Sequence, residues 1–492
     1  MMPLVVGIDV GTGSTKALLM DVHGNILARH AVQYPLYTPE IGYSEQCAQD
    51  WWNAVVTCVR SVCAARDIAS RVKGIALSTQ GGTIVPVDQG FAPLGRAIVW
   101  NDRRCDHERQ EFMDQLGEEL MYQATGWNLG TGLPALVLRH MRNQQEDIYA
   151  RAHMYLSVHD FLAARLTGRA AVDLSNAGIN QLINIREGKY SPQLTQFAMV
   201  DEQQLPELIP SGEYIGTLTA SAAEALGLSE DVVLSSGAHD QYAVSLGAGI
   251  VNSGDAVIGT GTAWVVTALQ DTPDFESGFA QSIPTVAGKW GSMISISNGG
   301  ISLDWFRKKV ACANAEALSY DVINDTVSKQ FKPGSRGLCF YPYFGGASFP
   351  VKNHRVKAAF LGMDLSHEWA HFAQAVMEGT VYQICWALER MHAHRPIHQI
   401  TVAGGALKSP IWLQMIANIF NRTIYITDVD DLACVGAAML ATVGCKLYSD
   451  VVTACLKMSP PKKQIEPQAS EANEYASLFK EYKKQAQSLF AL

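Results

Sequence analysis

One short pattern occurs twice in this 492-residue chain. Residues 5–21, VVGIDVGTGSTKALLMD, give an apolar run, then Gly11-Thr12-Gly13, then an apolar return run. Residues 253–269, SGDAVIGTGTAWVVTAL, repeat the theme around Gly259-Thr260-Gly261. Apolar runs bounded by such small residues read as buried strands joined by a tight turn. Aligning Gly259 on Gly11 sets the copies 248 residues apart, half the chain. Two copies of one hairpin at that spacing predict two similar domains; coincidence of a short match is the competing reading. The boundary is expected in the small-residue stretch LGAGIVNSG, residues 246–254. This gives an N-terminal domain over 1–248 and a C-terminal domain over 249–457. A polar, Pro-containing linker and a final helix near 471–490 fill 458–492.

Around the first hairpin the pattern continues as α/β. Residues 26–31 read as a third strand, 49–65 as a helix with Trp52, Val55, Val56, Val59, Val62 and Cys63 on one face, and 72–78 as another buried strand. A net charge of −9, spread along the chain, argues against nucleic acid as the main partner, since neutralising phosphates needs a basic face. The longest small-apolar run, residues 433–445, is too short and too rich in Gly and Ala to cross a bilayer, so no membrane partner is expected. The opening MMPLVVGIDVG has no basic stretch before its apolar run, which predicts no signal peptide. The ten Cys residues show no Cys-x-x-Cys and no zinc spacing. Reduced thiols and a cytoplasmic location are therefore expected.

Four places could carry chemistry. A Gly/Ser/Thr turn at a strand end points backbone N–H groups and hydroxyls into a small concavity, and phosphate is its usual guest. A carboxylate beside phosphate is repelled unless a cation intervenes, so Asp9 makes sense as a Mg²⁺ ligand, direct or through water; an ordinary hairpin with a capping Asp is the alternative. In ITVAGGALKSPIWLQMIANIF, residues 400–420, a strand ends at Gly404-Gly405-Ala406, and Ser409 then caps a helix with Pro410 at its first position. Adjacent glycines let a flat ring approach the backbone. In LSSGAHDQYAVSLG, residues 234–247, Asp240 stands at a helix start, where an ionised carboxylate is stabilised and can take a proton from a hydroxyl. The alternative there is a simple cap, and His239 is read as a satisfied neighbour. No Gly-x4-Gly-Lys-Ser/Thr occurs, and the opening glycines do not complete a dinucleotide fingerprint, so P-loop and Rossmann sites are not expected.

Taken in order, these elements resemble the FGGY family of carbohydrate kinases, within the actin/hexokinase/Hsp70-like ATPase superfamily. GIDVGTGSTKALLMD is similar to its first phosphate motif, GAHDQ to its catalytic-Asp motif, IGTGTAW to its second phosphate motif and GGALKSPIWLQMIANIF to its adenosine motif. AAFLGMDLSHEWAHFAQAVME (358–378) resembles its C-terminal signature, and AIVWNDRR (97–104) its Trp-x-Asp-x-Arg segment. The resemblance implies two actin-like (ribonuclease H-like) α/β domains, each a mixed sheet flanked by helices, about a central cleft. It implies ATP and Mg²⁺ as cofactors, a small carbohydrate as substrate and, as a candidate, a homodimer. Carried over by residue, Asp9 holds magnesium. Thr12, Gly13, Ser14, Lys16, Gly259 and Thr260 face the phosphates. Gly300 and Asp304, in NGGISLDW, lie near the nucleotide, and Gly405, Ala406 and Ser409 flank adenosine. Asp240 is the general base, with Gln241 beside the sugar hydroxyls and Gln80 and Trp100 lining the sugar pocket.

The departures bear on substrate. Relatives that phosphorylate xylulose or glycerol carry two large side chains after the matching Gln; here Gln80 is followed by Gly81-Gly82. Ala135 and Leu138 stand where the N-terminal signature expects Lys and Trp. The pocket is therefore expected to be wider, or filled from another loop, and the substrate to be some other sugar, polyol or sugar acid. The competing readings are a non-catalytic sugar sensor, which retention of Asp9 and Asp240 opposes, and a chaperone- or actin-like ATPase, which Gln80, Trp100 and Asp240 together oppose.

Overall fold

A computed structural model describes residues 2–65, 67–311, 316–347 and 349–490. In chain order the elements that position the site are β1 (Leu4–Val10), β2 (Ser14–Asp21), β3 (Ile26–Gln33), α1 (Ala48–Val62), β4 (Val72–Thr79), β5 (Tyr214–Thr217), β6 (Val233–His239) and α2 (Asp240–Gly247). They continue with β7 (Asp255–Thr260), β8 (Trp264–Gln270), β9 (Gln399–Gly404), α3 (Pro410–Phe420), β10 (Ile424–Ile426), α4 (Leu432–Gly444) and β11 (Lys463–Ile465). Two compact units result. The first comprises 1–253, 269–292 and 431–460, the second 254–268, 293–430 and 461–492.

In the first unit the sheet order is β5-β6-β4-β1-β2-β3. β1 lies parallel to β4, β4 parallel to β6, and the pairs β1–β2, β2–β3 and β5–β6 are antiparallel. Strand alternation sorts the side chains. Leu4, Val6, Ile8, Val10, Ala17, Leu19, Ile75 and Leu77 share a core with Trp51, Val55 and Val59 of α1 and with Phe161. The buried stripe of α1 is thus Trp51, Ala54, Val55, Cys58, Val59 and Val62, one residue round from the expected face, and Trp52 and Val56 sit only partly buried at its edge. The opposite face carries Val5, Gly7, Leu18, Met20, Gly74 and Ala76, with Asp9, Lys16 and Ser78 at one end.

That opposite face is covered by α4, LACVGAAMLATVG. Its small side chains are a packing requirement. A Cβ on Gly7 would stand 1.9 Å from the Cys434 carbonyl oxygen, one on Gly74 2.9 Å from that of Ala441, and one on Gly436 2.0 Å from that of Ala243 in α2. So the apolar run at 433–445 is a core helix, and it packs on the first unit although it lies late in the chain.

The second unit repeats the plan. Within a seven-stranded sheet the order runs β8-β7-β9-β10-β11, with two further strands, Trp290–Ile296 and Ala280–Ser282, beyond β8; β7–β9 and β9–β10 are parallel and β7–β8 and β10–β11 antiparallel. Strand for strand, β2-β1-β4-β6-β5 is answered by β8-β7-β9-β10-β11. The register differs from the expected alignment. β1 ends at Val10 opposite Thr15, and β7 ends at Thr260 opposite Trp264. The second turn is therefore Gly261-Thr262-Ala263, and Gly261, not Gly259, corresponds to Gly11. β11 also falls inside the stretch expected to be linker, and the final helix runs Ala469–Phe490. No described helix is long and apolar enough to cross a membrane, and Cys58, Cys63, Cys105, Cys385 and Cys434 are buried thiols.

Candidate active site

In the first unit the turn after β1 has its acceptors tied down. Tyr34 Oη donates to the Gly11 carbonyl (2.6 Å), Gln46 Nε2 to that of Thr12 (2.6 Å), and the Tyr34 amide to that of Gly13 (3.2 Å). Among the described residues the Thr12 and Gly13 amides have no acceptor. A turn with its carbonyls bound and its N–H groups free is an anion receptor, and a Cβ at Gly13 would meet nothing within 4 Å. The second turn follows the same rule. The Gly300 and Ile301 amides bind the Gly261 and Thr262 carbonyls at 3.0 and 3.2 Å, while the amides of Gly261 and Thr262 have no partner.

Asp9 lies opposite Lys16 across the hairpin and accepts from Ser78 Oγ at 2.7 Å. Burial pushes its carboxyl up to about 6; Ser78 and Lys16 pull it down, and Asp240 and Asp431 push it up further. Lys16 Nζ is paired with Asp431 Oδ1 at 3.0 Å, just before α4. Lys16 thus meets both Asp9 and Asp431, while Asp240 adds a further negative charge felt by Asp9.

The Thr12 side chain turns from the turn after β1 towards Gln80 and Trp100. Its hydroxyl donates to Gln80 Oε1 (2.9 Å) and accepts from Trp100 Nε1 (3.2 Å), and Gln80 Nε2 donates to Gln46 Oε1 (2.7 Å). Gln46 escaped the sequence reading because nothing nearby in sequence marks it. In the Trp-x-Asp-x-Arg segment Asp102 is fully buried, accepts from the Ser44 amide at 2.6 Å and pairs with Arg104, which also reaches Glu45. Those two residues brace the loop and leave Trp100 half exposed at its tip.

Asp240 is the first residue of α2, its carboxylate one-third exposed. The N-cap position belongs to His239, and no side chain caps this helix, so the simple-cap reading of Asp240 finds no support. The strand end before it is held by buried polar groups. The His239 amide donates to Ser175 Oγ (2.8 Å), Ser175 Oγ to Asp173 Oδ1 (2.5 Å), and the Gly237 amide to His159 Nε2 (3.0 Å). Gln241 follows on the first turn of α2 and is partly exposed.

Gly81 and Gly82 do not leave a void. A Cβ at Gly81 would stand 2.5 Å from His239 Cδ2 and 2.6 Å from Ile179 Cγ2, and one at Gly82 2.5 Å from Leu133 Cδ2. The space is filled from other loops, the second of the two expected alternatives, and not widened. Gly82 also has φ +68°, so a bulky residue there would strain the backbone before it narrowed a pocket.

In the second unit a cavity of about 790 Å³ is lined by Thr260, Gly300, Asp304, Gly405, Ala406 and Ser409, as expected from the sequence. Gly259 lies inside β7 opposite Val265 and is not among the lining residues, which instead include Gly261 and Thr262. The buried Thr260 hydroxyl donates to the Ala403 carbonyl (2.6 Å) and accepts from the Ala406 amide (2.9 Å), so it shapes the Gly405 loop. Ser409 caps α3 and donates to Asn324 Oδ1 at 2.7 Å. Asp304 accepts from Arg307 and Tyr320 and pairs with Lys308; burial works to raise its carboxyl, and these partners outweigh it and hold it below the usual range. Arg307, Tyr320, Asn324 and Trp412 complete the walls and were missed, since their approach depends on tertiary packing. Gly405 and Ala406 bring small residues, and Tyr320 and Trp412 aromatic surface, to the lining of this cavity.

Comparison with known proteins gives a consistent answer. Residues 4–247 match the N-terminal domain, and residues 255–445 the C-terminal domain, of the FGGY family of carbohydrate kinases. The chain is 30% identical to a xylulose kinase of Lactococcus lactis over 92% of its own length and 89% of that relative. It is 25% identical to a gluconokinase of Bacillus subtilis over 89% of its own length and 86% of that relative. The crystal structure of a "xyloylose kinase" from Brucella ovis superposes with TM-score 0.91 at 27% identity, covering all of both chains. The chain belongs to the FGGY family of carbohydrate kinases, enzymes that use ATP to phosphorylate a sugar or sugar acid.

Proposed function

We propose that Asp240 is the general base that takes the proton from the substrate hydroxyl as that oxygen attacks the γ-phosphorus of ATP. The observation that carries this is a one-third-exposed carboxylate on the first turn of α2, uncommitted to capping, at the end of a strand whose backbone is held by buried polar groups. In this reading Gln80, Trp100 and Gln241 hold the sugar. The free amides of Thr12 and Gly13, and of Gly261 and Thr262, bind phosphate oxygens and stabilise the transferring charge. Ser14 and Lys16 stand beside the first set. The cavity floored by Gly405 and Ala406 takes adenosine, with Gly300, Asp304 and Ser409 around it.

Asp9 is the ligand for Mg²⁺, directly or through water. The fit rests on the chemistry of Asp9, a buried oxygen donor whose carboxyl is pushed up to about 6 by burial and by Asp240 and Asp431, a charge that a hard divalent cation would offset. Bound there, the ion would neutralise phosphate charge. The substrate is a small sugar, polyol or sugar acid whose pocket is closed by Leu133, Ile179 and His239 in place of side chains at positions 81 and 82.

The test is ATP turnover across a panel of sugars, polyols and sugar acids, with and without Mg²⁺, for wild type and Asp240→Asn. Turnover is expected only with a suitable acceptor, and Asp240→Asn is expected to lower kcat by roughly 10²-fold or more. A folded variant with near wild-type kcat would remove Asp240 from the chemistry.

A further inference from the structure

Gly81 and Gly82 are glycines for different reasons. Gly82 adopts φ +68°, so its backbone alone disfavours a side chain. Gly81 has no such constraint. What excludes a side chain there is the His239 ring, whose Cδ2 and Nε2 would lie 2.5 and 3.0 Å from its Cβ, together with Ile179. The ring is 5% exposed. It meets Trp127 edge-on, with ring centroids 6.2 Å apart, and lies 6.1 Å from the ring of Tyr242. Its Nδ1 is buried without a hydrogen-bond partner. Its Nε2 faces Asp240 Oδ1 at 3.5 Å. A buried imidazole whose own packing satisfies neither nitrogen costs stability, so its placement calls for a reason other than core filling. The polar group it faces is the carboxylate of the next residue.

We propose that His239 is a positioning residue for Asp240, and that position 81 is glycine to admit its ring. Nε2–H donates towards Oδ1 of Asp240, and this fixes the carboxylate with its other oxygen turned to the acceptor hydroxyl. Hydrogen bonds of this kind are long in unliganded enzymes and tighten on substrate binding. The inference rests on Asp240 being the base, and the following experiment separates the two.

Steady-state kinetics and melting temperature are measured for Asp240→Asn, His239→Leu, His239→Gln, Gly81→Ala, His239→Ala and Gly81→Ala/His239→Ala. His239→Leu, which keeps volume and loses the donor, is expected to lower kcat roughly 10- to 100-fold with the KM for ATP within about 3-fold. His239→Gln, whose amide can donate from the place of Nε2, is expected to recover most of that loss. Gly81→Ala, which displaces the ring, is expected to lower kcat about 10-fold or more in the wild-type background, and to cost several-fold less in His239→Ala, where only the Ile179 contact remains. Equal kcat for His239→Leu and His239→Gln would reduce the ring to packing and overturn the proposal. So would near wild-type kcat for His239→Leu, or a Gly81→Ala effect of the same size in both backgrounds. Wild-type kcat in Asp240→Asn would defeat the general-base reading itself. Loss in Asp240→Asn with none in His239→Leu would defeat only the role given to His239.

Discussion

Thr12 shows how much one hydroxyl can join. Its amide belongs to the phosphate turn, while its side chain bonds Gln80 and Trp100. Thr12→Val leaves the amide in place and removes both bonds. The KM for sugar should rise roughly 10-fold, the scale of one lost hydrogen bond, with the KM for ATP nearly unchanged; a rise confined to ATP would contradict the assignment. Asp9 carries a different burden. Its folded-state carboxyl titrates near 6 against an ordinary 3.8. The folded protein thus holds this proton more tightly than the unfolded chain, and stability falls as pH rises from about 4 to about 6. Above that window the ionised group costs at most about 3 kcal/mol without a cation. In chelator, Asp9→Asn should melt above wild type at pH 7.5, and the gap should narrow as pH is lowered towards 4. Thermal scans with and without Mg²⁺ check this, and no gap at pH 7.5 would mean that Asp9 ionises freely. The local residues around them marked Asp9, Thr12 and Asp240, whereas Gln80 came only from the family resemblance. Gln46, Arg307 and Tyr320 were marked by neither, because only tertiary packing brings them in.

At the scale of elements, turns and caps were the most legible. Pro410 begins α3 after Ser409, and Asp240 begins α2, as their local chemistry requires. Register was harder. Gly-Thr-Gly alone cannot say which glycine ends a strand, since ladder pairing decides it, and this moved the second turn two residues on, from Gly259 to Gly261. The filling of the space beside Gly81 and Gly82 was equally hidden, because Leu133, Ile179 and His239 come from three remote segments. The run at 433–445 was read by length alone as not membrane-spanning, and the fold adds the reason for its composition. Gly436 puts α4 against the α2 backbone, where a methyl would stand 2.0 Å from a carbonyl oxygen. Gly436→Ala, otherwise helix-favouring, should therefore destabilise by about 1–3 kcal/mol. Denaturant unfolding measures this, and a stabilised variant would mean that the helices separate without cost.

At the scale of the molecule, the repeated hairpin proved to be the visible end of a repeated five-strand arrangement, β2-β1-β4-β6-β5 and β8-β7-β9-β10-β11. Strand order could not be read from one chain, because pairing between distant segments leaves no local mark. Nor could the exchange by which residues 431–460 join the first unit.

That exchange has a consequence for the order of events at the ribosome. The strands β1, β4 and β6 are all synthesised by residue 239, yet α4, which lies across them, ends at Gly444. Some two hundred residues of translation separate the sheet from its cover, roughly ten to forty seconds at ordinary elongation rates. Through that interval Gly7 and Gly74 mark a bare apolar face, a target for holding chaperones. A fragment ending at residue 253 should therefore be produced largely as aggregate, and a peptide spanning 431–460 supplied during refolding should raise its soluble yield. A monomeric, cooperatively melting 1–253 fragment would show that the early sheet closes by itself.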